Sequence, residues 1–280
     1  MTESFQTKDG RRLTYRREGS GPLLVCIPGG PGFSSAYLAD LGGLGSTRTL
    51  IMLDPRGTAA SDAPDDPRAY STSDYVSDVE ELREHLAVER LDLLGHSHGG
   101  VVAAAYGAGH PASVRRLILA DSLARVHPEE MEELKARHRD EPWYEDAERA
   151  LAQEDAGEYS SEAELREITR RFWPMYFERF DERAAEYVDT VIVPERANPD
   201  ALKLFNEGIE EWDMRGELAS IEAPTLVLTG RYDFICGPAC AADFLEEIAN
   251  AEEAIIEDCG HFTFVEKPAE FCAAIERFLG

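Results

Sequence analysis

Six short apolar runs limit most severely what this chain can fold into. They read LLVCI (23–27), TLIML (49–53), LDLL (91–94), RLILA (116–120), TLVLT (225–229) and AIIE (254–257). Runs that are continuously apolar, rather than alternating with polar residues, mark strands covered on both faces. Helical patterns lie between them. In STSDYVSDVEELREHL the residues Tyr75, Val79, Leu82 and Leu86 recur at spacings of four, three and four, which is one apolar stripe of a helix. Ser71, with Asp74 three residues later, has the pattern of a capping box at its start. Strands alternating with helices predict an α/β fold, a mostly parallel central sheet with helices on both faces. Ahead of the first run, SFQTKDGRRLTYRR predicts a hairpin turning at Asp9-Gly10.

The rhythm breaks between about 122 and 220. HPEEMEELKARHRD, SEAELREITRRFW and DERAAEYV are charged and helical, and APTLVLTG then resumes the sheet. The expected organisation is therefore a core of 1–121 and 221–280 interrupted by a helical cap of 122–220. A formal net charge of −27 opposes nucleic acid, whose binding needs cationic side chains on phosphates, and it opposes anionic membrane surfaces. No apolar run approaches the roughly 18 residues that would span a bilayer. The start MTESFQTKDG has no basic segment followed by an apolar one, so no signal peptide is expected. The five cysteines are odd in number and lack C-x-x-C spacing, so neither a disulfide framework nor a zinc site is expected, and a cytoplasmic location is.

Gly95-His96-Ser97-His98-Gly99 matches G-x-S-x-G between the strand LDLL and the helical GGVVAAAYGA. In that context a strained strand-to-helix turn lifts the serine hydroxyl above the sheet, and the helix amino terminus offers free N–H groups to an oxyanion. A hydroxyl needs a base, and the base needs an orienting group. In this fold they follow in the order serine, acid, histidine. Asp233 lies just past TLVLT and His261 just past AIIE, where side chains converge over the carboxyl edge of a parallel sheet. Asp121, after RLILA, is the alternative acid. His96 and His98 flank the serine but cannot easily reach back around so tight a turn. His85, His110, His127 and His138 lie in helical or linking stretches. CIPGGPGFSS (26–35) follows a strand and exposes backbone N–H groups, so the oxyanion donors are expected to be the N–H groups of Gly30 and His98. Asp54 and Arg56 in LDPRGTAASD are expected to pin loops together.

These residues resemble the α/β-hydrolase superfamily and, within it, the prolyl aminopeptidase (proline iminopeptidase) family. PGGPG resembles that family's His-Gly-Gly-Pro-Gly and DPRGTAAS its Asp-Gln-Arg-Gly-x-Gly-x-Ser; GHSHGG, GRYDF and CGHFTFVEKP complete the match. The resemblance implies Ser97 as nucleophile, His261 as base and then acid, Asp233 as its orienter, and Gly30 with His98 as oxyanion hole, with no cofactor or metal. Pro28 and Ala60 replace a family histidine and glycine. Relatives that grip a free amino group place an acid after the triad Asp, where this chain has Phe234. Their cap acid falls at Leu202, with Asp200 and Glu207 the nearest acids. Phe234 suits an apolar acyl or ring group better than an ammonium. The expected function is a metal-free serine hydrolase cleaving an amide or ester of a small-molecule or short peptide-like substrate through an acyl-enzyme, aminopeptidase-like. A carboxylesterase or lactonase is the alternative. From another class, a ligand receptor or a cofactor-free non-hydrolytic enzyme stands beside it.

Overall fold

The computed structural model describes residues 1–195, 197–209 and 211–280. Its strands are β1 (Thr2–Gln6), β2 (Arg12–Gly19), β3 (Leu23–Ile27), β4 (Thr49–Asp54), β5 (Leu91–His96), β6 (Val114–Ala120), β7 (Thr225–Gly230) and β8 (Ala251–Ile256). They form one eight-stranded sheet in the order β1-β2-β4-β3-β5-β6-β7-β8. The hairpin β1–β2 pairs antiparallel, as does β2 with β4, and every later pair is parallel. Every residue of β5 and β7 is buried, the state that their continuous apolar sequence predicts.

The helices are α1 (Thr72–His85), α2 (His98–Gly109), α3 (Pro128–Lys135), α4 (Tyr144–Asp155), α5 (Glu162–Phe172), α6 (Glu182–Tyr187), α7 (Pro199–Asn206), α8 (Arg215–Leu218), α9 (Pro238–Glu247), α10 (Thr263–Glu266) and α11 (Pro268–Leu279). Helix α1 starts at the expected capping box: Ser71 Oγ accepts from the Asp74 N–H, and the Asp74 carboxylate accepts from the Ser71 N–H. One face of the sheet buries its side chains against α1, α2 and α9, the other against α11. Helices α3 to α7 lie between β6 and β7 in the chain, and α4 and α5 pack on each other around Ala147, Ala150, Leu165, Ile168 and Phe172. Among the described residues no helix is long and apolar enough to cross a membrane.

Strand β3 lies between β4 and β5, so the connections leaving β3 and β5 diverge to opposite sides. Such a switch point opens a crevice at the carboxyl ends of the two strands. Gly29 and Gly30 follow one of them and Ser97 follows the other. Two tethers steady the neighbouring loops. Asp54 Oδ1 accepts from the Ser35 N–H at 3.0 Å and its Oδ2 from Thr14 Oγ1 at 2.9 Å. Buried Arg56 grips Asp78 through Nε and Nη2, both at 2.7 Å. Asp54 and Arg56 therefore pin loops, as expected.

Candidate active site

Ser97 sits between β5 and α2 with φ 56° and ψ −127°, a conformation L-residues rarely adopt. Surrounding bonds hold it there. Its N–H donates to the Ala120 carbonyl at 2.9 Å, and its own carbonyl accepts from Gly100 at 2.8 Å. Neighbouring backbone passes too closely for side chains. A Cβ at Gly99 would stand 2.2 Å from the Ile27 carbonyl oxygen, and one at Gly29 would stand 2.6 Å from the Ser97 Cβ. The glycines of the motif are thus needed for the close approach of β3 to the turn.

His261 follows β8. Its Nδ1–H donates to Asp233 Oδ2 at 2.7 Å, which leaves Nε2 as the nitrogen able to take a proton. Asp233 is itself fixed, since its Oδ1 accepts from the N–H groups of Ile235 and Cys236, each at 3.0 Å. Ser97 and His261 line one cavity of about 220 Å³. Asp121 is placed differently. Its Oδ1 accepts from the Gly230 N–H at 2.9 Å and its Oδ2 from Thr263 Oγ1 at 2.6 Å, so it ties the end of β6 to the end of β7 and the start of α10. Of the two candidate acids, Asp233 is the one bonded to His261.

Gly30 and His98 both line the cavity, and neither backbone N–H has a hydrogen-bond partner among the described residues. The His98 ring turns away from any role as base. It packs edge-on to Tyr75 and Phe205, and burial pushes its pKa down to about 3. His96 is buried against Phe262 and His261 and lines the same cavity. The His261 Nδ1, the Asp233 carboxylate and the Cys236 sulfur lie within 4.8 Å of one another, a donor set a metal ion could use. However, the nitrogen and both carboxylate oxygens are already engaged in the bonds above.

Residues between β6 and β7, the stretch expected to form a cap, line one side of the cavity. The Tyr176 carbonyl accepts from the His261 N–H at 2.8 Å, while the Tyr176 ring stands edge-on to His261 and Phe234. Glu266 joins the same two segments, accepting from Gly260 at 2.7 Å and from Glu178 at 2.9 Å. The walls are mostly apolar and aromatic, with Phe33, Trp173, Leu202, Phe205 and Phe234 among them. Phe234 packs into the cap's own core. Leu202 lines the cavity, whereas Asp200 and Glu207 are exposed and do not.

Two acids that the sequence reading missed line the same cavity. Glu154 and Asp155 end α4. Glu154 is only 7% exposed, and its one hydrogen bond among the described residues comes from Asn206 Nδ2 at 3.3 Å. Burial, with the nearby Asp155 charge, pushes its pKa up to about 7. Asp155 keeps part of its surface in solvent, and partial desolvation of its carboxyl on the cavity side raises its pKa as well. A sequence signal existed: Ala147, Ala150 and Leu151 form an apolar stripe whose next helical step falls on Glu154.

Comparison with known proteins places this geometry. Residues 22–268 match the family model of the alpha/beta hydrolase fold. A proline iminopeptidase from Lactobacillus helveticus is 31% identical over 275 residues, covering 92% of this chain and 90% of that one. Among solved structures, an alpha/beta fold family hydrolase from Bacillus anthracis superposes with a TM-score of 0.80 at 19% identity, over 99% of both chains. A proline iminopeptidase from Mycobacterium smegmatis gives 0.74 at 20% identity, over 100% of this chain and 97% of that one. The chain belongs to the α/β hydrolase fold family, as a hydrolase resembling the proline iminopeptidases within it.

Proposed function

We propose that this hydrolase is a serine aminopeptidase-like enzyme that releases an amino-terminal residue, through an acyl-enzyme, from a small amide or short peptide. Ser97 Oγ attacks the substrate carbonyl while His261 Nε2 takes its proton. The N–H groups of Gly30 and His98 receive the charge that develops on the carbonyl oxygen. Asp233 stabilises the imidazolium and holds its tautomer. His261 then passes the proton to the departing amine, and water cleaves the ester on Ser97 by the same steps in reverse order. The free cysteines fit a reducing compartment, and we place the enzyme in the cytoplasm.

The observation that carries the aminoacyl reading is Glu154. A buried carboxylate with a single long hydrogen bond costs free energy that an arriving ammonium would offset. The remaining walls suit the apolar part of the same residue. An engineered cavity of about 150 Å³ accepts a benzene ring, so about 220 Å³ has room for one ring-sized acyl group. The names of the Lactobacillus relatives point the same way. One observation favours an esterase or lactonase instead: Phe234 packs where amine-binding relatives carry an acid. Prolyl and alanyl p-nitroanilides, their N-acetyl forms and p-nitrophenyl esters of amine-free acids separate the two. The aminopeptidase reading expects free amines to be preferred by about tenfold or more. Equal or faster turnover of amine-free esters would replace it with the esterase. A fluorophosphonate probe should label the wild type and not Ser97→Ala.

A further inference from the structure

Three backbone segments must hold fixed positions for the proposed chemistry: the loop after β3 with Gly29 and Gly30, the turn at Ser97, and the loop after β8 with His261. A chain of hydrogen bonds outside the proton path joins them. The Gly29 N–H donates to Tyr37 Oη at 2.5 Å. Tyr37 O–H donates to His96 Nδ1 at 2.8 Å, and His96 Nε2–H donates to the His261 carbonyl at 3.0 Å. The chemistry of the two ends sets the direction, since an amide N–H only donates and a carbonyl only accepts. A neutral His96 ring with its proton on Nε2 completes the chain, accepting from the Tyr37 hydroxyl at Nδ1 and donating to the His261 carbonyl at Nε2. Burial and the adjacent His261 push its pKa well below the usual histidine range, in keeping with that state.

The relay is buried throughout, with Tyr37 5%, His96 1% and His261 3% exposed. Packing limits movement as well. His96 stacks on Phe262 at 5.8 Å between ring centres, and Tyr187 of the cap donates to the Tyr37 carbonyl. An aliphatic side chain at position 37 would leave the Gly29 N–H unsatisfied, and one at position 96 would leave the Tyr37 hydroxyl and the His261 carbonyl without their partner, so the polar atoms themselves need a reason. Because Tyr37 occupies the Gly29 N–H, that group is removed from the set of oxyanion donors and Gly30 is left.

We infer that Tyr37 and His96 are positioning residues that fix the oxyanion loop relative to His261, setting donor and base in place before substrate arrives. The inference rests on the roles proposed above for Ser97, His261 and Gly30. Misplacing a reacting group by about 1 Å can cost about a hundredfold in rate. Tyr37 and His96 also line the cavity, so it is the variant that keeps the ring as wall and loses only the hydroxyl that should lower kcat while leaving KM almost unchanged.

Four single variants, with His96→Ala as the reference for position 96, and one double variant test it. Tyr37→Phe removes one hydroxyl and keeps the ring. His96→Asn keeps an acceptor towards Tyr37, and His96→Gln keeps a donor towards the His261 carbonyl. Tyr37→Phe is expected to lose about 10- to 100-fold in kcat, with KM within about twofold, and to react correspondingly more slowly with a fluorophosphonate at Ser97. Each His96 variant should lose less than His96→Ala. The double variant Tyr37→Phe/His96→Gln should be little worse than the worse single, because both break one chain. Folded variants with wild-type kcat, or with kcat and KM changing in parallel, would overturn the inference. If Tyr37→Phe does not fold, the ordering of the three His96 variants decides. A wild type that the probe leaves unlabelled at Ser97 would sink the functional reading, and this inference with it. A labelled wild type with unaffected variants would sink the inference alone.

Discussion

Two buried carboxylates flank the cavity, and the protein treats them in opposite ways. Asp233, on the core side, is 1% exposed and accepts two backbone N–H bonds at 3.0 Å and the His261 bond at 2.7 Å. Glu154, on the cap side, is 7% exposed and accepts one bond at 3.3 Å. A buried carboxylate with few donors resists ionisation, which is why the acid of Glu154 moves up to about 7. The core carboxylate has its hydrogen bonds filled in advance and so fixes a geometry. The cap leaves a charge unsettled, which suits a cation delivered with the substrate. Under the proposed function, chemistry and selectivity fall to different parts of the chain.

The largest effects should come from the core. Ser97→Ala is expected to lower kcat/KM on the order of 10⁵-fold, measured with a saturable p-nitroanilide or ester. Asp233→Asn should lower kcat by about 10³- to 10⁴-fold, because His261 loses its orienting acceptor. Asp121→Asn should cost far less activity, since its partners are Gly230 and Thr263 rather than His261. A larger loss for Asp121→Asn would reassign the orienting role and break the contrast drawn here.

The cap should answer more gently, and with a pH signature. Glu154 has a folded pKa raised to about 7 from 4.5, so the native state binds its proton more tightly than the unfolded chain does. The favourable contribution is complete below about 4.5 and is lost as pH rises through about 7. Glu154→Gln should therefore raise Tm by about 2–5 °C at pH 8 and leave it nearly unchanged at pH 4, read by differential scanning calorimetry. In the wild type, KM for an amine substrate should fall as pH rises through about 7, while KM for an amine-free ester stays level. An ester that follows the same profile would show that Glu154 acts on the fold and not on the amine.

Sequence carried the core further than it carried the cap. Parallel strands covered on both faces must be apolar along their whole length, so β3 to β7 announce themselves, and the loops that follow them locate Ser97 and Asp233. Strand β8 is less plain. AIIE marks only its second half, because an edge strand can leave Glu252 and Glu253 facing solvent. In the cap, α4 escaped notice although its neighbour α5 did not. Its stripe ends in Glu154, and in a chain with 55 acidic residues one more acid looks like surface. The role of His96 could not be read at all, since it depends on Tyr37, 59 residues earlier, and His261, 165 residues later.

The division between a core that reacts and a cap that selects rests on Glu154. Its most direct test compares kcat/KM for prolyl p-nitroanilide with that for the cyclopentanecarbonyl analogue, which lacks the amine, in wild type and Glu154→Gln at pH 8. Removing one partner of a buried charge pair commonly costs about 2–5 kcal/mol, so the preference for the amine substrate should fall by at least about tenfold, mainly through KM. The amine-free substrate should be turned over almost as before. An unchanged preference would contradict the account and return the choice of substrate to the apolar walls alone.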